Sequence, residues 1–224
     1  MKYVSIDIET TGLDPALNNI LSIGAIIEDT ESPLPRRECP QIHIAIVHHA
    51  LHGSYEALDM NRDLISKISK WKNSKEEEKR NYSTTLNMVF SDPEEVVAHL
   101  YRFFYRNGLV DIDLEKYVGM QKEIIDGVSY PIIGSKVPPA KINAAGKNFA
   151  TFDKLFLENL PRWKQLMRVR QRVIDPAILY VDWKNDKALP SLGECKERAG
   201  LDSHVSHDAL DDAWDTIEVL RKMY

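Results

Sequence analysis

Residues 2–9 read KYVSIDIE, and the alternation in this stretch decides the fold. Val4, Ile6 and Ile8 fall on one face of an extended segment and Ser5, Asp7 and Glu9 on the other, because successive side chains of a strand point to opposite faces. The acidic face matters most. Asp7 and Glu9, two residues apart, project their carboxylates from one surface roughly 6.6 Å apart along the chain. Burying such charges unpaired is costly, and a hard cation with oxygen ligands is the usual remedy. An exposed edge strand with harmless acids fits the same pattern, so strand one alone leaves both readings open.

Outward from this strand, a turn at Gly12 to Pro15 leads to residues 20–29 (ILSIGAIIED), a nearly continuous apolar run of the kind a central strand shows. Residues 41–47 (QIHIAIV) predict a third strand, and residues 56–68 a helix. The charged stretch 69–83 (SKWKNSKEEEKRNYS) loses periodicity and is read as a solvated connection. Asp92-Pro93 opens a helix to about Asn107, with Val96, Val97, Leu100, Phe103 and Phe104 on its apolar face. Residues 109–139 resist assignment, GVSYPIIGSKVPP (127–139) being compatible with a hairpin or an arm. Further on, 141–146 (KINAAG) predicts a fourth strand, 150–159 a helix and 172–175 a short fifth strand before a helix at Pro176. Ser191 starts a helix that ends at Gly200, and the last helix runs from about His207 to the end. Strands first, then strands alternating with helices, indicate an α/β domain.

The chain has 224 residues, 43% of them hydrophobic, enough for one sizeable core, so 1–224 is read as a single domain with insertions. Its 34 acidic against 29 basic residues give a formal charge of −5, which counts against passive attraction of polyanions. It does not count against a nuclease, whose bound cations would cancel carboxylates where it matters. Cys39 and Cys195 are far apart and lack CxxC spacing, so neither a disulfide framework nor a zinc knuckle is suggested. His48, His49 and His52 have metal-like spacing but no helix to support it, and are read as a solvated loop. No apolar run approaches the ~20 residues of a membrane span, and no signal peptide is evident. A cytoplasmic protein with no membrane partner is the expectation.

Three motifs in chain order sharpen the acidic reading. DIETTGL (7–13) resembles the first motif of the DEDDh 3′–5′ exonuclease superfamily, and HDALDDA (207–213) resembles its H-x-A-L-x-D-A motif. Between them, NFATFD (148–153) follows the fourth strand and places Asp153 at the strand-to-helix junction where the second motif brings its acid. The resemblance covers the first 30 residues and about 141–224, leaving an unmatched insertion around 69–139. It implies a ribonuclease H-like fold, a mixed five-stranded sheet with strands one to three antiparallel and helices on both faces. Asp7, Glu9, Asp153 and Asp212 would then be ligands of two divalent cations, Mg²⁺ or Mn²⁺, with His207 as the base. Thr11, Gly12, Leu13 and Asn148 would contact the substrate, a nucleic acid with a free 3′ end, DNA or RNA.

Helix geometry supports Asp212 independently. At ~100° per residue, Asp208, Asp211, Asp215, Glu218 and Lys222 share one polar arc, read as a solvated face. Asp212 falls instead among Ala209, Thr216, Val219, Leu220 and Met223, on the edge of the arc that must face the sheet. By resemblance the product is a 5′-mononucleotide, and four carboxylates with two divalent cations sum to zero charge, so a phosphodiester can approach. The Asn148-to-Asp153 spacing points toward an oligoribonuclease-like enzyme on short RNA. A polymerase-associated proofreading exonuclease and an inactive nucleic-acid-binding module are the other readings.

Overall fold

The computed structural model describes residues 1–110, 122–125, 128–131 and 138–224. Strands β1 (Lys2–Thr10), β2 (Ile20–Asp29) and β3 (Gln41–Ile46) form an antiparallel meander, as their alternation and apolar runs predict. Helices α1 (Tyr55–Met60), α2 (Arg62–Asn73) and α3 (Glu76–Leu86) then lead to a short strand β4 (Val89–Ser91), which adds parallel to β3 at the sheet edge. The charged stretch 69–83 is therefore mostly helical rather than a solvated connection. Its helices are held by a small aromatic group, with Trp71 stacked on Phe90 at 5.1 Å and Tyr82 tilted against Phe90 at 5.9 Å.

Helix α4 (Val96–Arg106) buries Val96, Val97, Leu100 and Phe104 as expected, whereas Phe103 is only partly buried. A hairpin of β5 (Lys122–Ile125) and β6 (Val128–Pro131) lies within the stretch that resists assignment, most of which falls outside the described residues. The predicted fourth strand is split into β7 (Ala140–Ile142) and β8 (Ala144–Ala145), which pairs parallel to β1. Helices α5 (Asp153–Leu157) and α6 (Trp163–Leu166) follow, then β9 (Met167–Val169), the parallel partner of β7. At 172–175, where a fifth strand is predicted, only a bridge from Ile174 to Ala145 forms. Pro176 precedes α7 (Ala177–Tyr180), and Ser191 closes a capping box on α8 (Leu192–Arg198). The final helix α9 (Ala209–Arg221) is capped by Asp208, so His207 lies just outside it.

The mixed sheet has the order β4-β3-β2-β1-β8 and carries helices on both faces. Even-numbered residues of β1 (Val4, Ile6, Ile8) pack with Leu100, Phe104, Phe156 and Trp163 from α4, α5 and α6. On the opposite face Tyr3, Ile26 and Ala145 meet Ala213, Trp214, Ile217 and Leu220 of α9. Helices α2 and α3 cover this second face toward β3 and β4, through Ile68, Leu64 and Tyr82 against Leu21, Ala45 and Phe90. Asp7 and Glu9, odd-numbered, therefore open onto the α9 face. Among the described residues no helix is long and apolar enough to cross a membrane.

Candidate metal centre

A close helix approach assembles the site. In the sheet register Asp7 sits opposite Gly24, and Gly24 opposite His43. A Cβ at Gly24 would collide with the backbone of Ala209 and Leu210, so the first turn of α9 rests directly on β2 at this point. That contact carries Asp212 to Asp7 and Glu9, and one carboxylate oxygen from each of the three lies within 4.8 Å of the others. Asp153 joins from the other side of β1: buried at the start of α5, it accepts the amide of Ile8 at 3.2 Å. Gly24 is a positioning residue that the motifs do not mark; its only trace in the sequence is a lone glycine inside a strand.

Four carboxylates thus converge from three segments, and no described Lys or Arg forms an ion pair with any of them. Their proton affinities reflect that. Burial, then repulsion from Asp153, Asp212 and Glu9, holds Asp7 well above the ordinary carboxylate range. Burial and the charge of Asp212 push Glu9 up to about 8, with the amide of Asn61 pulling the other way. Asp153 is raised to about 7 by burial, against the hydrogen bonds of its own and the Ile8 amide. Asp212 reaches about 6 through burial and Asp215, with His207 lowering it. An all-oxygen donor set of closely spaced, largely buried carboxylates suits a hard divalent cation.

These shifts have a sign that can be checked. With folded values above unfolded ones, the folded chain binds more protons than the unfolded chain between about pH 4 and pH 8, so stability falls as pH rises through that window. Without divalent cation, Tm is expected to drop from about pH 5 to about pH 8; with Mn²⁺ or Mg²⁺ the drop should shrink. Thermal denaturation across pH in EDTA and in Mn²⁺ reads this difference. Parallel curves would mean that the cluster binds no cation.

The other predicted residues divide. His207 is exposed, adopts a left-handed φ of 54° and lines a cavity of about 290 Å³ with Glu9, Asn61, Lys67 and Asp208. Leu13 is 84% exposed, an apolar side chain held in solvent on the loop after β1. Thr11 has a structural task. Fully buried, its hydroxyl donates to the His52 carbonyl and accepts the Asn19 amide at 2.8 Å, so it fastens the 48–54 loop to the end of β1. Gly12 is buried as well, with Asn18 filling the space beside its Cα. Asn148 takes a left-handed φ of 60° and accepts the Thr151 hydroxyl at 2.5 Å, a local turn contact.

Two further expectations change. The histidine stretch is not simply solvated: His48 is half-buried with Nε2 2.7 Å from the Ile20 carbonyl, and the His52 amide donates to Asn19 at 3.0 Å. Nor is the outer arc of α9 merely a wet face. Asp211 pairs with Arg36, and Asp215, largely buried, meets Lys196 at 2.6 Å. Asp208 caps the helix by accepting the amides of Leu210 and Asp211.

Neither a protein-family model nor a curated protein matches the chain. Among solved structures it is similar to Escherichia coli Exonuclease I in complex with a 5cy-dT13 oligonucleotide, at 16% identity and a TM-score of 0.53. It is also similar to a moderately thermophilic Exonuclease I from Methylocaldum szegediense, at 16% identity and 0.55, and to a further Exonuclease I structure at 14% and 0.56. Each match covers 99% of this chain and 40% of the other, so the chain spans about two-fifths of the length of the structures it matches. At such low identity the likeness is one of fold: the chain has a ribonuclease H-like α/β fold, shared over nearly its whole length with Exonuclease I.

Proposed function

We propose that the chain is a metal-dependent 3′–5′ exonuclease that hydrolyses single-stranded nucleic acid from its 3′ end, releasing 5′-mononucleotides. The observation that carries this reading is the convergence of Asp7, Glu9 and Asp212 from β1 and α9 within 4.8 Å, with buried Asp153 against β1. The residues fit two hard divalent cations, Mg²⁺ or Mn²⁺, held by these four acids. Bound there, the cations would supply Lewis-acid polarisation of the scissile phosphodiester and of the attacking water.

The remaining steps belong to the chain's own side chains. His207, at the mouth of the cavity, takes the proton of the attacking water at a ring nitrogen, as the water oxygen bonds to phosphorus and the 3′ oxygen leaves. Lys67, on the same wall, offers a positive charge to the phosphate. Leu13 gives the terminal nucleotide an apolar surface to lie against. Single-stranded DNA is the leading substrate, because the similar Exonuclease I is described with an oligo-dT strand and the net charge of −5 offers no broad duplex-binding stripe.

The test uses 5′-labelled linear single-stranded DNA, duplex DNA, short RNA and circular single-stranded DNA with Mg²⁺ or Mn²⁺. Linear single strands should shorten progressively from the 3′ end while circles survive. Circles cut as fast as linear strands would make the enzyme an endonuclease, and turnover of RNA alone would move the substrate class.

A further inference from the structure

The loop that delivers His207 to the cavity has little of its own to hold it. Residues 202–208 form no helix or strand, and among the described residues no backbone–backbone hydrogen bond involves 202–207. Its ties come from α8. The Lys196 ammonium, on a side chain in a residue only 6% exposed, donates to the His204 carbonyl and meets Asp215 of α9 at 2.6 Å. Val205 packs with Leu192, Cys195 and Val219, and Gly193 leaves room for the loop, since a Cβ there would stand 3.0 Å from the Ser203 carbonyl oxygen. Three residues after His204, His207 takes its left-handed φ of 54°, a conformation that persists in a non-glycine residue only where the surroundings fix it.

We propose that Lys196 is a positioning residue for His207: by holding the His204 carbonyl and Asp215 on one ammonium, it fixes the 202–207 loop to α8 and α9, and with it the place of the imidazole at the cavity. The residue type supports this. Lysine is almost never fully buried unless paired, and a buried ion pair contributes so little net stability that well-packed apolar residues of similar volume often replace it without loss. Stability alone therefore does not call for a lysine here. What an apolar pair cannot supply is a charged donor aimed at a loop carbonyl, held in that direction by Asp215, which lies one turn beyond Asp212 on α9. One ammonium thus joins α8, the loop that ends in His207 and the helix that carries Asp212. The role of His207 as base rests on the exonuclease reading; the tie between Lys196 and the loop does not.

The experiment compares two variants of the full chain with the wild type. Lys196→Met keeps an unbranched side chain without the ammonium, and Lys196→Met/Asp215→Leu also removes the carboxylate left unpaired. Tm should fall in the first and recover in the second, where no unpaired buried charge remains. On 5′-labelled single-stranded DNA with Mg²⁺, kcat should fall about 10–10²-fold in both, because a misplacement of about 1 Å can cost 10²-fold, while KM and calorimetric Mn²⁺ affinity stay within about twofold. In EDTA, the ¹⁵N order parameters of the 204–207 amides should drop in both variants toward the ~0.6 of flexible backbone. If Lys196→Met does not fold, the double variant carries the comparison. Recovery of kcat together with Tm in the double variant overturns the proposal, because it leaves Lys196 a purely structural role, and so do unchanged order parameters. Loosening of the loop in both variants of a chain whose wild type hydrolyses no nucleic acid would confirm the tie and defeat the exonuclease reading alone.

Discussion

Asp7→Asn is expected to bring hydrolysis down to the level the wild-type chain shows in EDTA, a fall in kcat of at least about 10³-fold. Asp7 stands among the other acids, feeling Asp153, Asp212 and Glu9 together. Asparagine keeps its shape but removes one of four negative charges, so two divalent cations can no longer be fully neutralised. Losing a single hydrogen-bond donor to a transition-state charge already costs about 10²–10³-fold, and losing a whole carboxylate charge from the cluster should exceed that. The same change has an opposite effect on stability. Without metal, Asp7→Asn relieves repulsion inside a desolvated cluster, so its Tm in EDTA should exceed that of the wild type by a few degrees, 1 kcal/mol being worth roughly 2–4 °C at this chain length. Kinetics with Mg²⁺ and thermal denaturation in EDTA read the two arms. A variant that is both active and less stable would show that Asp7 is neither a ligand nor strained.

His207→Ala should lower kcat by about 10²–10⁴-fold, the range for loss of a general base, while leaving Mn²⁺ affinity almost unchanged. The separation follows from position: His207 lies outside α9 and is exposed on the cavity it lines, whereas Glu9, Asp153 and Asp212 are buried and Asp7 is partly buried. Asp212→Asn, removing a buried member of the cluster, should weaken metal binding and activity together. Asp211→Asn should change little, since it loses only a half-exposed pair with Arg36, and surface pairs contribute about 0–1 kcal/mol. Asp208→Asn should also be mild, because asparagine caps a helix as well as aspartate does. The measurements are kcat and calorimetric Mn²⁺ titration for these four variants. Retained activity in His207→Ala would send the search for the base elsewhere, and an Asp211→Asn variant as inactive as Asp212→Asn would reverse the assignment of the inward acid.

By itself the sequence determined what depends on periodicity within one element. The alternation of 2–9 put Asp7 and Glu9 on one face of β1, the apolar runs fixed β2 and β3, and the helical wheel pointed Asp212 inward, where it is 7% exposed. These readings held because side-chain direction along a strand or helix is set by local geometry. Where partners lie far apart in the chain, only the tertiary structure decided. Helix α3 buries no residue fully and has a charged sequence, so its apolar contacts through Tyr82 exist only once Phe90 joins the edge of the sheet. The split of β7 from β8, each with a different neighbour, depends on strands far off in sequence. Thr11 lies inside a motif that suggests a substrate contact, yet the 48–54 loop claims its hydroxyl. The approach of α9 over Gly24 likewise appears only when helix and strand are packed, and it is this contact that turns two short acidic motifs, some 200 residues apart, into one centre.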